Sequence, residues 1–183
     1  MSSPITSSTL SSLLLSDVTV SIESLSAQLG ATLLDLDYSV TTAESCTGGG
    51  IAQAITDVVG SSQWFSHGFV SYSNSAKQQL LGVGEASIER YGAVSQQVVE
   101  EMAVGALATS LADVSIAVSG VAGPDGGTEE KPVGTVWIAW AVKDKSTISH
   151  CYHFSGDRKT IRNQSVSKAL SVLISLLSIS YLN

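Results

Sequence analysis

The chain has 183 residues, of which 44% are hydrophobic and 14% charged, with 16 glycines and a formal net charge of -7. Its length suits one domain around one sizeable core, and its glycine and apolar content suits a compact α/β protein and argues against disorder. Nine Lys and Arg against sixteen Asp and Glu argue against a nucleic-acid surface, which needs clustered cations.

Residues 1–20 are rich in Ser and Thr but have neither a basic n-region nor a long apolar core, so they read as a loose or partly ordered extension before a single domain over 21–183. Ile22, Leu25, Leu29, Leu33 and Leu34 recur at helical spacing, predicting a helix over 21–36 that lies on a sheet. Val40 to Thr42 form a short strand. A helical pattern follows from Gly48 to Val59, with Ile51, Ile55, Val58 and Val59 inward. Gly68 to Ser73 read as a strand, Asn74 to Leu81 as a helix carrying Lys77, and Ser95 to Leu111 as a helix with Ser95 as its cap. Val114 to Ser119 are apolar at nearly every position, as in a strand covered on both faces. The run from Gly120 to Gly127 must be a glycine-rich loop. Gly134 to Val142 and Ser146 to Phe154 make an antiparallel hairpin, and Arg158 to Leu182 a closing helix. The sum is an α/β fold, three layers α/β/α around a mixed central sheet, with parallel strands early and the hairpin late.

The run Ala169 to Leu182 is broken by four serines and is too short to span a bilayer, so no membrane association is expected. Cys46 and Cys151 lack a zinc-site spacing, and His150 and His153 would point to opposite faces of a strand; no metal or other cofactor is expected. Two cysteines make a poor disulfide framework and imply a reducing, cytoplasmic compartment. The apolar surplus of Trp137, Ile138, Trp140 and the last helix exceeds what one face of a small domain can use, which predicts a homodimer.

Chemistry concentrates in Glu44-Ser45-Cys46-Thr47-Gly48-Gly49-Gly50, where a strand ends in a hydroxyl and a thiol and glycines open a helix. A nucleophile could sit there under backbone N–H groups. Ser45 and Thr47 are equally well placed simply to cap the helix, and Cys46 to be an inert core thiol. A serine needs a base, and neither His67 nor the His150/His153 pair has a suitable spacing. Lys77, the only Lys or Arg among the first 89 residues, is the better candidate, although a solvated lysine is the ordinary alternative. A lysine of ordinary pKa is only about 0.1% neutral near pH 7.4, a handicap of about 4 kcal/mol for a base, so a Ser45–Lys77 dyad requires a dry Lys77 with Glu44 pointing away from it. Tyr72 and Asn74 precede Lys77. Arg158 and Arg162 share a helix face and either hold a phosphate or form a solvated surface. Neither a Walker A pattern nor a dinucleotide fingerprint is present.

These motifs together resemble the C-terminal domain of the competence-damage-inducible protein A family, whose stand-alone members include nicotinamide-nucleotide amidohydrolases. The resemblance is carried by Thr42 to Gly49, Gly60-Ser61-Ser62, Val70 to Asn74 with Lys77, Gly92 to Ser95, Ser119 to Gly127, Glu130 to Val136 and Gly156-Asp157-Arg158. It departs at Val121, where isoleucine is usual, and the N-terminal nucleotide-hydrolase domain to which members are often fused is not expected within these 183 residues. The resemblance implies hydrolysis of the carboxamide of nicotinamide mononucleotide, with Ser45 as nucleophile and Lys77 as its partner. It implies a small nucleotide as ligand, held among Thr47, Gly48, Gly49, Tyr72, Asn74, Gly120, Gly123, Arg158 and Arg162, with the N–H groups near Thr47 to Gly49 receiving the oxyanion. A non-catalytic nucleotide-binding protein of the same fold is the alternative.

Overall fold

The structure, a computed structural model, describes residues 7–15 and 20–178. The stretch expected as an extension includes a helix, α1 (Ser7–Leu15), whose Leu14 is buried in the core. Ser21 caps α2 (Ile22–Leu36) by accepting the Ser24 N–H, and Leu25, Leu29 and Leu33 bury one stripe; Leu34, expected on it, is 49% exposed. Strand β1 (Val40–Glu44) runs two residues further than predicted and is buried throughout. Helix α3 (Gly50–Thr56) is shorter than predicted, because Gly48 and Gly49 take positive φ values of 58° and 90° that a right-handed helix does not admit. Val59, expected inward, lies beyond the helix and is fully exposed.

Strand β2 (Phe65–Val70) begins earlier than the predicted segment and stops before Ser71. Helices α4 (Asn74–Leu81), α5 (Glu85–Tyr91) and α6 (Gln96–Ser110) follow, α5 having given no clear periodic signal. Ser95 caps α6 through the Val98 N–H, as expected. Strands β3 (Val114–Gly120), β4 (Thr135–Val142) and β5 (Ile148–His153) precede α7 (Arg158–Ser178); the predicted continuation of that helix to Leu182 lies outside the described residues. Among the described residues no helix is long and apolar enough to cross a membrane.

The five strands lie in the order β2-β1-β3-β4-β5. β1 is parallel to β2 and β3, whereas β4 is antiparallel to β3 and β5, so the mixed sheet with parallel strands early and a hairpin late is present. One core joins the sheet to α2, α3 and α7 through Leu29, Ile51, Ile116, Ile138, Trp140 and Leu170. The other joins it to α4, α5 and α6. On that side the strands present Ala43, Ala117, Ala139 and Ala141, small residues that let α6 sit close to the sheet.

The apolar residues that suggested a dimer are used within the chain. Ile138 and Trp140 are fully buried, Trp140 donating its indole N–H to the Ala169 carbonyl at 2.9 Å, and Trp137 packs half-buried against the α6 side. β4 is an interior strand with helices on both faces, which doubles the apolar surface that a single chain can cover.

From β1 the chain passes through α3 to β2 on one side and then through α4 to α6 to β3 on the other. The carboxyl end of β1 is therefore a point where the connections diverge, and a crevice opens there. Helix α4 is held at that crevice by tight packing on α6. A Cβ on Gly105 would run into the carbonyl oxygen of Leu81, the last residue of α4. Gly105→Ala is expected to destabilise the protein by about 1–3 kcal/mol, since overpacking here meets backbone and not a flexible side chain. Thermal unfolding followed by circular dichroism checks this, and an unchanged or higher midpoint would mean that α4 shifts at no cost.

Candidate active site

Ser45 follows the last residue of β1, and its N–H continues the sheet by donating to the Val118 carbonyl at 2.9 Å. The chain then turns tightly, Gly48 N–H bonding the Ser45 carbonyl at 3.0 Å. Neither Ser45 nor Thr47 caps α3. The cap residue is Gly49, and the helix start is satisfied by Glu44, whose carboxylate oxygens accept the N–H groups of Ile51 (3.0 Å) and Ala52 (2.8 Å). A buried carboxylate thus takes over the orphan amides of the first turn and the favourable end of its dipole. The Ser45 hydroxyl is released from capping.

The partner of that hydroxyl is Lys77. Its Nζ lies 3.0 Å from Ser45 Oγ and donates to the Ser71 carbonyl at 2.8 Å. Lys77 is 1% exposed and Ser45 9%. Burial lowers the Lys77 pKa from the ordinary 10.5, opposed by the influence of Cys46. Glu44 is turned to α3, as a dry lysine requires. Cys46 points into the α3 and α7 core; burial pushes its thiol up to about 12, overriding the backbone N–H groups of Cys46 and Thr47 near it. A thiol so held is a poor nucleophile.

A cavity of about 210 Å³ opens over the pair, lined also by Tyr72, Asn74, Gly120 and Arg158. Four of the residues expected to hold a ligand are therefore gathered there. Tyr72 is 59% exposed at the mouth, where its hydroxyl accepts from Arg158 Nη2 at 2.8 Å; Arg158 Nη1 donates to the Gly123 carbonyl at 2.8 Å. Gly123 thus enters through its backbone. Thr47, Gly48 and Arg162 lie behind the nucleophile turn instead. Arg162 clamps the Thr47 carbonyl through Nε and Nη2 at 3.2 and 2.6 Å, and a Cβ on Gly48 would sit 3.4 Å from that guanidinium. Arg158 and Arg162 both line a larger cavity of about 700 Å³ between α3 and α7, which adjoins the smaller one at Arg158. Of the amides expected to receive an oxyanion, Gly48's is committed to the Ser45 carbonyl and Thr47's lies against the Cys46 thiol, whereas Gly49's has no backbone acceptor among the described residues.

Sequence reading missed the capping role of Glu44. The available signal was a carboxylate at the strand end, six to eight residues before Gly50, Ile51 and Ala52, separated from them by flexible glycines. Ser71 was likewise unassigned. Among the described residues no three His, Cys, Asp or Glu side chains converge into a metal cage.

A buried serine beside a buried, hydrogen-bonded lysine at the carboxyl end of a mixed sheet defines an α/β protein with a serine–lysine site. The match to the CinA C-terminal domain model covers residues 22–177, and the chain belongs to that family. A curated relative is "Nicotinamide-nucleotide amidohydrolase PncC" of Enterobacter agglomerans, 54% identical over 153 residues that make up 84% of this chain and 93% of the relative. Among solved structures, the competence-damaged protein (CinA) superfamily protein of Escherichia coli has a TM-score of 0.88 at 38% identity, covering 94% of this chain and 99% of that one. The competence/damage inducible protein CihA of Agrobacterium tumefaciens gives 0.84 at 42%, covering 88% and 99%.

Burying Lys77 also sets a stability signature. The unfolded lysine keeps its proton up to its ordinary pKa and the folded one releases it at lower pH, so between the two the unfolded state holds more protons and stability rises with pH. Lys77→Met removes that penalty. The variant is expected to gain stability relative to the wild type at neutral pH, with the gap narrowing as pH rises through that window. Urea unfolding at several pH values checks this; a gap independent of pH would mean that Lys77 is not held in a shifted state.

Proposed function

We propose that the protein is a serine–lysine amidohydrolase that converts nicotinamide mononucleotide to nicotinic acid mononucleotide and ammonia. The observation that carries this is the 3.0 Å contact between the buried Lys77 amine and Ser45 Oγ, in a chain 54% identical to proteins named for that activity. Neutral Lys77 removes the Ser45 proton as Oγ attacks the carboxamide carbon. The Gly49 amide is the donor left in this turn for the developing oxyanion. Lys77 then returns the proton to the departing ammonia, and water, activated by the same amine, releases the nicotinate product from Ser45. Tyr72, Asn74, Gly120 and Arg158 frame the ligand at the cavity, Gly123 supports Arg158, and Thr47, Gly48 and Arg162 support the turn.

The thiol of Cys46, buried and pushed up to about 12, weighs against a cysteine-dependent reaction. Cys46 and Cys151 are both free, which supports a reducing, cytoplasmic setting. We keep a homodimer as a proposal, supported now by the sheet edges β2 and β5 and not by the interior tryptophans.

Purified protein is expected to release ammonia from nicotinamide mononucleotide. Ser45→Ala should abolish turnover, Lys77→Ala should lower kcat by about 10²–10⁴-fold, and Cys46→Ala should retain a working dyad. Activity surviving in Ser45→Ala would overturn the nucleophile assignment. Light scattering should give twice the chain mass; a monomer in solution would remove the dimer.

A further inference from the structure

Ser71 stands between the two halves of the dyad. Its N–H donates at 2.8 Å to the carbonyl of Glu44, the residue before the nucleophile, and its own carbonyl receives the Lys77 amine at 2.8 Å. Its side chain is fully buried, and its Oγ has no hydrogen-bond partner. An orphaned buried hydroxyl costs about 1–3 kcal/mol and calls for a reason. Among the described residues, the buried serine and threonine hydroxyls without a partner are those of Ser26, Thr42, Thr47 and Ser71, and of these Ser71 is the one whose own carbonyl is bonded to Nζ. Ser71 directly follows β2, two residues after Phe69, which packs on the α4 and α6 side of the sheet.

The dyad has a matching need. Two of the three positions around Nζ are taken, by Ser45 Oγ and the Ser71 carbonyl. The third carries an N–H that is a weak donor on the neutral amine and a charged one once Lys77 has accepted the Ser45 proton. An acceptor there strengthens as the reaction proceeds, which is the condition for lowering a barrier without tightening substrate binding.

We propose that Ser71 is a positioning residue whose hydroxyl accepts the third N–H of the Lys77 ammonium when the proton leaves Ser45. This rests on the serine–lysine reading of the site. The other groups near Lys77 are already placed. Cys46, Tyr72 and Arg158 line the same cavity, Glu44 is engaged by α3, and Glu101 of α6, on which α4 packs, is held by the Gly84 N–H and the Ser87 hydroxyl.

Ser71→Ala keeps both backbone contacts and removes only the hydroxyl; Ser71→Thr keeps the hydroxyl. NMR titration of the Lys77 side chain, assigned by its loss in Lys77→Met, reads the effect in the resting protein without substrate. Losing an acceptor disfavours the charged amine, so Lys77 in Ser71→Ala should titrate at lower pH, and in Ser71→Thr as in the wild type. With nicotinamide mononucleotide, kcat in Ser71→Ala should fall about 10- to 100-fold at unchanged KM, the value of one hydrogen bond to a charged group, and Ser71→Thr should recover it. An unmoved Lys77 titration in Ser71→Ala overturns the proposal whether or not activity falls. That titration needs no turnover, so it tests the role of Ser71 even if nicotinamide mononucleotide proves not to be the substrate.

Discussion

Removing Lys77 from water is the constraint on which the rest of this structure depends. A lysine in solution keeps its proton and cannot serve as a base near neutral pH; a lysine enclosed by protein finds its charged form penalised. Here the enclosure comes from α4, which carries the residue, from α6, against which α4 packs at Gly105, and from the end of β1, which supplies the hydroxyl it meets. The site is stabilised by its surroundings at the expense of the charge it encloses, an arrangement that favours reactivity over the stability of the residue itself.

The nucleophile turn divides its labour among residues that do not react. Glu44 satisfies the first amides of α3, and Arg162 holds the carbonyl of Thr47 from the other side. With both ends of the turn secured, the left-handed Gly48 and Gly49 are no longer free to wander, and the Ser45 hydroxyl need not serve as a cap. The same logic explains why Arg162 and Arg158, one turn apart on α7, do different work. The first fixes the turn, and the second reaches across the cavity mouth to Tyr72 and the Gly123 carbonyl.

Much of this was legible in the residues. The helical stripe of Leu25, Leu29 and Leu33, the all-apolar β3 and the late hairpin follow from periodicity and burial, and they emerge with boundaries displaced by a few residues. Val59 was misplaced because a stripe extrapolated through a helix end says nothing about where the helix stops, and Leu34 because, next to the buried Leu33 inside α2, it is turned away from that stripe onto an exposed face. Helix α5 was hidden because seven residues with one buried side chain, Ile88, carry almost no periodic signal. Ser45 and Thr47 looked like caps because a hydroxyl before a helix usually is one, and only the long reach of Glu44 across the glycines decides otherwise.

By itself the sequence determined the fold class, the strand-to-helix turn with its two competing nucleophiles, and the presence of one early lysine, because these depend on local spacing and composition. Tertiary structure alone decided that Lys77 is dry and that its amine meets Ser45, residues 32 apart in the chain. It also decided that Cys46 faces the core, that Arg162 serves the turn, and that Ser71 joins the two catalytic segments. The reason is physical. Burial and hydrogen-bond partnership belong to the packing of distant segments, and a linear pattern specifies which groups are available but not which of them will lose their water together.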